Sequence, residues 1–401
     1  MQISRFVRNA VILGLLSAVG PFAIDMYLPA LPAIAVGLSA STAAVQMTLM
    51  SFFIAFGLCQ LVYGPLSDMV GRKPPLYFGL AIFVLGSAGC AMAPSVEWLI
   101  AFRVVQGIGA SAMMVIPRAI IRDLHTGHDA TRLMSLMMLV FSVAPILAPL
   151  AGSALIVPFG WRSVFVAVGS ISIVGLCLVA FALKETRPVE HRLRVSLGAL
   201  LGGFLRLLLD ARFLGLTFIG GFGMASFFTF LASSSFIYID RFGLTPTQYS
   251  FAFSVNAVSF IGASQFAPAL GKRFSIPRVI LGATAGAAFF AVLLCLLVAA
   301  GEESLALLIG LLFVVNAFLG LVIPTSMVLA LEEHGPIAGM ASALGGTLQM
   351  VAGGLMIAVT SVFFDGTALP MVATIALCTC GSLVLAALTL RAPREVAQAA
   401  E

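Results

Sequence analysis

The stretch GPLSDMVGRK, residues 64–73, lies between two long apolar runs and gathers one acid, two bases and two glycines into ten residues. A polar, glycine-punctuated interruption of this kind marks where a hydrophobic chain leaves lipid and turns back. A shorter echo, GKR at residues 271–273, follows at an offset of 200 in a chain of 401 residues. Further on, Ala151-Gly152-Ser153 is answered by Ala352-Gly353-Gly354 at an offset of 201. Two near-equal offsets at half the chain length predict an internal duplication, an arrangement that commonly places a binding site between the two copies.

Composition sets the environment. The chain is 61% hydrophobic and 9% charged, against about a quarter charged in soluble proteins, and its mean hydropathy is +1.13. Water-soluble domains and disorder are excluded by these figures. A transmembrane β-barrel is excluded by apolar runs that do not alternate with polar residues. At about 20 residues per span, the punctuation divides the chain into twelve: 9–31, 44–64, 75–93, 98–119, 132–157, 162–183, 213–239, 248–269, 278–300, 304–330, 339–362 and 370–390. The predicted fold class is therefore an all-α integral membrane protein with twelve helices in two pseudo-symmetric six-helix bundles around a central cavity. Residues 1–183 form the first bundle and 213–401 the second, joined by a linker, 184–212, whose stretch SLGALLGGFLRLLLDARF suits an interfacial helix. Arg5 and Arg8 before the first apolar run resemble a signal peptide. That run is too long, and too interrupted by Pro21 and Asp25, to be cleaved.

Positive residues are retained on the cytoplasmic side of a membrane. With the N-terminus inside, eighteen of the twenty-one Lys and Arg fall in cytoplasmic segments, Arg118 among them, so both termini are expected in the cytoplasm. The basic charge balance thus reports topology, and no basic stripe with interleaved aromatics suggests a nucleic-acid partner.

Asp25 is the most informative single residue. It lies about six residues from the outer end of the first expected span, hence roughly 9 Å deep, where a charge costs about 2.5–3.5 kcal/mol or less towards the interface. Arg103 lies at similar depth in the fourth span, and the two are expected to neutralise each other. Because burial disfavours a carboxylate, Asp25 is the predicted proton-coupling residue, with Arg103 as its partner. Along the fifth span, Ala144, Ala148 and Gly152 form a small-residue series with Pro145 and Pro149 between them, which predicts a bent helix packed closely on a neighbour. Broad-specificity pockets favour aromatics, methionine and a few polar groups. On that basis Met26, Tyr27, Gln46, Met50, Phe53, Phe227, Phe228, Tyr238, Asn256 and Asn316 are the candidate substrate-binding residues.

These residues also carry a resemblance. The stretch 64–73, with Gly64, Asp68, Gly71, Arg72 and Lys73, resembles the loop between spans two and three of the major facilitator superfamily. RVVQG at residues 103–107 resembles the fourth-span motif of that family. APILAPLAGS at residues 144–153 resembles its fifth-span antiporter motif, with Ala144, Ala148 and Ser153 standing at glycine positions. DMYLPALP at residues 25–32, Arg122-Asp123, and GMASALGGT at residues 339–347 are similar to the bicyclomycin and chloramphenicol resistance branch of bacterial drug:proton antiporters. The resemblance implies the major facilitator fold. It also implies a monomeric inner-membrane exporter of small amphipathic compounds or antibiotics, working by alternating access in exchange for protons, with no cofactor beyond the proton gradient. Its partners would be small-molecule substrates, protons and the lipid bilayer.

The stretch 64–73 is then read as a cytoplasmic gate. Asp68 is expected to meet a helix N-terminus or an arginine, and Arg72 and Lys73 to meet helix C-termini or acids, holding that side shut in one state. Pro268 replaces the acid in the second copy, so only the first copy can form the lock. An enzyme is not expected, since neither a nucleophile elbow nor a phosphate-binding loop occurs, and His125 and His128 have no neighbouring cysteine to complete a metal site. The alternatives are a proton-coupled or facilitated transporter of an endogenous metabolite and, from another class, a non-transporting membrane sensor.

Overall fold

The structure is a computed structural model that describes residues 2–125, 127–192, 197–332 and 334–391. The described residues form twelve long helices: α1 Gln2–Asp25, α2 Thr42–Val70, α3 Lys73–Met92, α4 Val96–Leu124, α5 Gly127–Phe159 and α6 Arg162–Phe181, then α7 Ala211–Ser235, α8 Pro246–Phe274, α9 Ile276–Ala299, α10 Leu305–Glu332, α11 Ala338–Phe363 and α12 Leu369–Arg391. No strand occurs among the described residues. Among the described residues, eleven helical segments are long and apolar enough to cross a membrane. The one expected span outside that set is α8, whose composition is diluted by Ser250, Ser254, Asn256, Ser259, Ser264 and Gln265.

Local chemistry sets the helix starts. Ser41 Oγ accepts from the Ala44 amide to begin α2, and Thr245 and Gln248 form a reciprocal capping box ahead of α8. Asp210 accepts from the amides of Arg212 and Phe213 to begin α7. Several helices overrun the expected spans. Most of the stretch 64–73 is itself helical, because α2 continues through Pro65 to Val70 and only Gly71 and Arg72 separate it from α3. Gly71 makes that turn with φ of 101°, a conformation that needs no β-carbon. The echo at 271–273 behaves differently. Gly271 stays inside α8, and the equivalent turn is made by Ser275 at φ 71°.

The first expected span, 9–31, is broken. Helix α1 ends at Asp25, a turn and a 3₁₀ segment at Leu28–Ala30 follow, and a short helix occupies Leu31–Gly37. Pro29 and Pro32 explain the break, since neither can donate to a continuing helical ladder. At the corresponding place in the second half, α7 passes into a π-helical turn at Phe236–Arg241. Discontinuities at matched positions of two repeats are where transporter sites are built.

Within the first half α4 packs on α2 and α3, and α1 on α5 and α6; within the second, α10 packs on α8 and α9, and α7 on α11 and α12. The halves meet along two seams, α2 with α11 and α5 with α8. We call the end carrying Arg72 the basic end and the opposite end the far end. A single apolar core crosses between the halves, joining Tyr27, Phe52 and Phe53 to Phe228, Tyr238 and Tyr249. A separate core, including Leu207, Phe213 and Ala341, belongs to the second half and the linker helix Leu197–Leu208.

Candidate functional site

Asp25 is 6% exposed and is the last residue of α1. A carboxylate there faces the negative end of its own helix. Directly beyond it, the Met26 carbonyl meets Gly152 of α5 so closely that a β-carbon on Gly152 would stand 2.3 Å from the oxygen. Ala144 and Ala148 are buried on the same helix, and Pro145 and Pro149 lie inside it. The second copy repeats the packing, since a β-carbon on Gly353 of α11 would stand 2.3 Å from the ring of Phe228 in α7. Two residues that the sequence reading passed over complete this seam. Ser250 Oγ donates to the Pro149 carbonyl at 2.8 Å, and Ser254 Oγ to the Ile146 carbonyl at 3.0 Å. Their spacing of four residues, which places both on one face of α8, was the available signal.

Arg103 is fully buried. Its Nη1 donates to the Ala23 carbonyl at 3.2 Å and to Gln106 Oε1 at 2.5 Å, and its Nε to the Thr48 carbonyl at 3.4 Å. The guanidinium carbon lies 4.6 Å from the Tyr27 ring centre and 4.3 Å from that of Phe52. Tyr27 and Thr48 share a hydroxyl hydrogen bond of 2.7 Å, and Gln106 Nε2 donates to Ser87 Oγ at 2.8 Å. The expected ion pair does not form: among the described residues Asp25 and Arg103 make no salt bridge. Carbonyls and ring faces from α1 and α2 hold the guanidinium in place of a carboxylate, while Asp25 has Tyr249 of α8 as an electrostatic neighbour.

The pocket candidates separate into groups. Gln46 Nε2 crosses the halves to the Ala232 carbonyl at 3.1 Å and Ser233 Oγ at 3.2 Å. Phe53 stacks on Phe228 across the same boundary at 3.8 Å between ring centres. Tyr238 packs against Tyr249, Phe227 against Phe260, and the Met50 carbonyl stands beside Gly354 of α11. Met26 is buried at the α1 break. Asn256 and Asn316 instead hydrogen-bond each other at 3.3 Å between α8 and α10, inside the second half. Three buried polar atoms near the boundary, Gln46 Oε1, Ser235 Oγ and the Tyr238 hydroxyl, have no partner in the protein. Buried polar groups are rarely left so.

At the basic end, Arg72 is the hub. It is 3% exposed, pairs with Asp68 at 2.8 Å and Asp123 at 2.7 Å, and donates to Ser67 Oγ at 2.7 Å. Burial works against its charge, but Asp123 and Asp68 together hold the group above its ordinary range. Asp68 also meets Arg187 at 2.9 Å. Lys73 Nζ donates to the Leu183 carbonyl at 2.8 Å, just past the C-terminus of α6. Glu185, absent from the sequence reading, accepts from the backbone amides of Arg72, Lys73, Thr186 and Arg187 at 2.9–3.0 Å. Burial alone would raise its carboxyl, yet these four amides hold it below the usual range. The only cue was the polar run Lys184-Glu185-Thr186-Arg187. Gly64 packs near Val115. These bonds tie the α2–α3 turn to the end of α4 and the segment after α6. Among the described residues, no ion pair crosses to the second half, which has its own pair, Asp210 with His334 at 3.0 Å.

With twelve helices in two related halves and motif residues at their matched breaks, the comparisons with known proteins agree. A profile for the Major Facilitator Superfamily matches residues 13–358, and the chain belongs to that family of membrane transporters. It is 35% identical over 368 residues to an uncharacterized MFS-type transporter, YdgK, of Bacillus subtilis, covering 90% of each chain. It is 31% identical to a bicyclomycin resistance protein homolog of Haemophilus influenzae, covering 91% of this chain and 92% of that one. The multidrug resistance protein MdtL of Klebsiella pneumoniae is 29% identical, with 94% of each covered. Among solved structures, a D-xylose-proton symporter superposes with a TM-score of 0.73 at 16% identity, covering 97% of each chain, which shows the shared fold. The chain is thus a multi-pass transporter related to antibiotic and multidrug resistance proteins, and not an enzyme.

Proposed function

We propose that this transporter exports small amphipathic compounds, antibiotics among them, across the bacterial inner membrane in exchange for protons, with both termini in the cytoplasm. The observation that carries the reading is Asp25. Among the described residues it is the one buried carboxylate within the spans, and it sits at the α1 break where Gly152 of the antiporter-like helix abuts the next peptide. Protonation removes a charge facing the end of α1 and lets the break repack against α5 and α8. Deprotonation restores the charge and favours the state in which Asp25 reaches water. The far-end contacts through Ser250, Ser254, Gln46 and Phe53 are the ones that must open. Gln46, Ser235 and Tyr238 are the groups left to hydrogen-bond a substrate. The basic-end network, which lies within the first half, keeps that half rigid as it rocks, with Gly64, Asp68, Gly71, Arg72 and Lys73 as its gate residues. The relatives named for bicyclomycin, chloramphenicol and multidrug resistance support a drug-export role. Expression in an efflux-deficient bacterium, challenged with neutral, cationic and acidic antibiotics with and without a protonophore, tests it. Protonophore-sensitive protection is expected, and protection against none of them contradicts it.

A further inference from the structure

The basic charges of the first half are not all topological. Arg118, grouped by sequence with the cytoplasmic loops, lies inside α4, six residues before its end at Leu124. It is half-buried. Its guanidinium lies over the Phe141 ring of α5 at 5.5 Å and reaches only a methionine sulfur, Met114 Sδ at 3.8 Å. Its Nε is buried without a partner, and among the described residues it forms no ion pair. Arg122 stands one turn further along α4, the spacing at which like charges repel. The nearest acid in sequence, Asp123, is already held by Arg72 and Thr186. A guanidinium that needed only to mark topology would snorkel into water; this one is held against an aromatic face with a donor unused. Away from the span ends, where Asp68, Lys73 and Arg212 are also half-buried, the described buried or half-buried charges within the spans are Arg103 and Arg118 against Asp25. That balance repels a lipophilic cation.

We infer that Arg118, with Arg122 beside it, forms an anion-recognition site at the basic end of α4, and that the transported compounds carry an acidic group such as a carboxylate, phosphate or acidic phenol. This rests on the export reading above for the direction of travel, but recognition itself needs no proton gradient. Guanidinium donors recognise oxyanions by charge-assisted hydrogen bonds, and the fork geometry favours arginine over lysine.

The test uses the full-length protein in lipid nanodiscs and two dyes with one ring system and opposite charge, fluorescein and rhodamine 123. The wild type is expected to bind fluorescein about tenfold more tightly than rhodamine 123. Arg118→Gln should weaken fluorescein by about tenfold and leave rhodamine 123 within about twofold, while Arg118→Lys, which keeps the charge and loses the fork, should weaken fluorescein by less than Arg118→Gln does. A wild-type preference for rhodamine 123, no fluorescein binding, or equal loss of both dyes in Arg118→Gln would overturn the assignment. If Arg118→Gln does not fold, the wild-type preference and Arg118→Lys still decide it. Because binding is measured without a gradient, its failure leaves proton exchange standing, and a failure of proton exchange leaves the dye preference intact.

Discussion

Gly152 of α5 rests on the carbonyl of Met26, just past the end of α1, leaving no room for a β-carbon, which would stand 2.3 Å from that oxygen. The contact places the bent, small-residue helix directly on the peptide that follows Asp25. Any movement of the α1 break is therefore felt by α5, and through Ser250 and Ser254 by α8 in the other half. One chain of contacts links the buried acid to the seam that must part.

Gly152→Val should disable transport without preventing membrane insertion. Overpacking costs about 1–3 kcal/mol, enough to slow a step that passes through this contact by roughly fivefold to 150-fold. Drug protection in cells, compared at equal protein in the membrane fraction, checks it. Wild-type protection would show that the close approach is packing alone.

Ser250→Ala with Ser254→Ala should loosen the far end. Each serine also donates to a carbonyl of its own helix, so each cross-seam bond is expected to contribute near the low end of about 0.5–1.5 kcal/mol. A cysteine placed at Tyr249 in a cysteine-free background reports the change. Labelling by an impermeant maleimide from outside the cell should rise several-fold in the double variant, and an unchanged rate would place the gate elsewhere.

Arg72→Lys should not rescue what Arg72→Ala loses. The guanidinium reaches Asp68, Asp123 and Ser67 at once, a fork that an ammonium cannot reproduce. Removing one partner of a buried charged network costs up to about 3–5 kcal/mol. Both variants are expected to melt earlier in detergent, alanine more so, and full recovery by lysine would reduce the hub to a simple charge.

Glu185 gives a pH signature. Its carboxyl is held below its usual value of 4.5 in the folded state. The contribution is fully present above that value and is lost as pH falls through the lower folded one. Wild type should therefore melt above Glu185→Gln by a constant margin from neutral pH down to about pH 5, and the margin should shrink with further acidification. A margin that instead grew on acidification would reverse the assigned direction.

The helices, their count and the duplication were legible because lipid demands long apolar runs and punctuates them with polar turns. Gly152 was legible as well, as a small residue amid prolines. The Asp25–Arg103 pairing was not. Depth along two helices places residues at one level but says nothing of their direction, and Arg103 is held by the Ala23 and Thr48 carbonyls, which leave no mark in sequence. Gly271 misled for a related reason. It matches Gly71 in the repeat, yet a helix ends where its neighbours stop supporting it, and in the second half that is Ser275. Glu185, Ser250 and Ser254 escaped because each acts on backbone atoms of a distant segment. Arg118 was hidden by the positive-inside rule, which assigns a side to a basic residue and no depth.

Asp25→Asn in proteoliposomes tests most directly whether this carboxyl carries the proton. With the antibiotic against which expression protects, an imposed pH gradient should drive no uphill accumulation in the variant, while exchange of labelled for unlabelled compound at equal concentration continues. Uphill accumulation by Asp25→Asn at the wild-type rate would contradict the assignment.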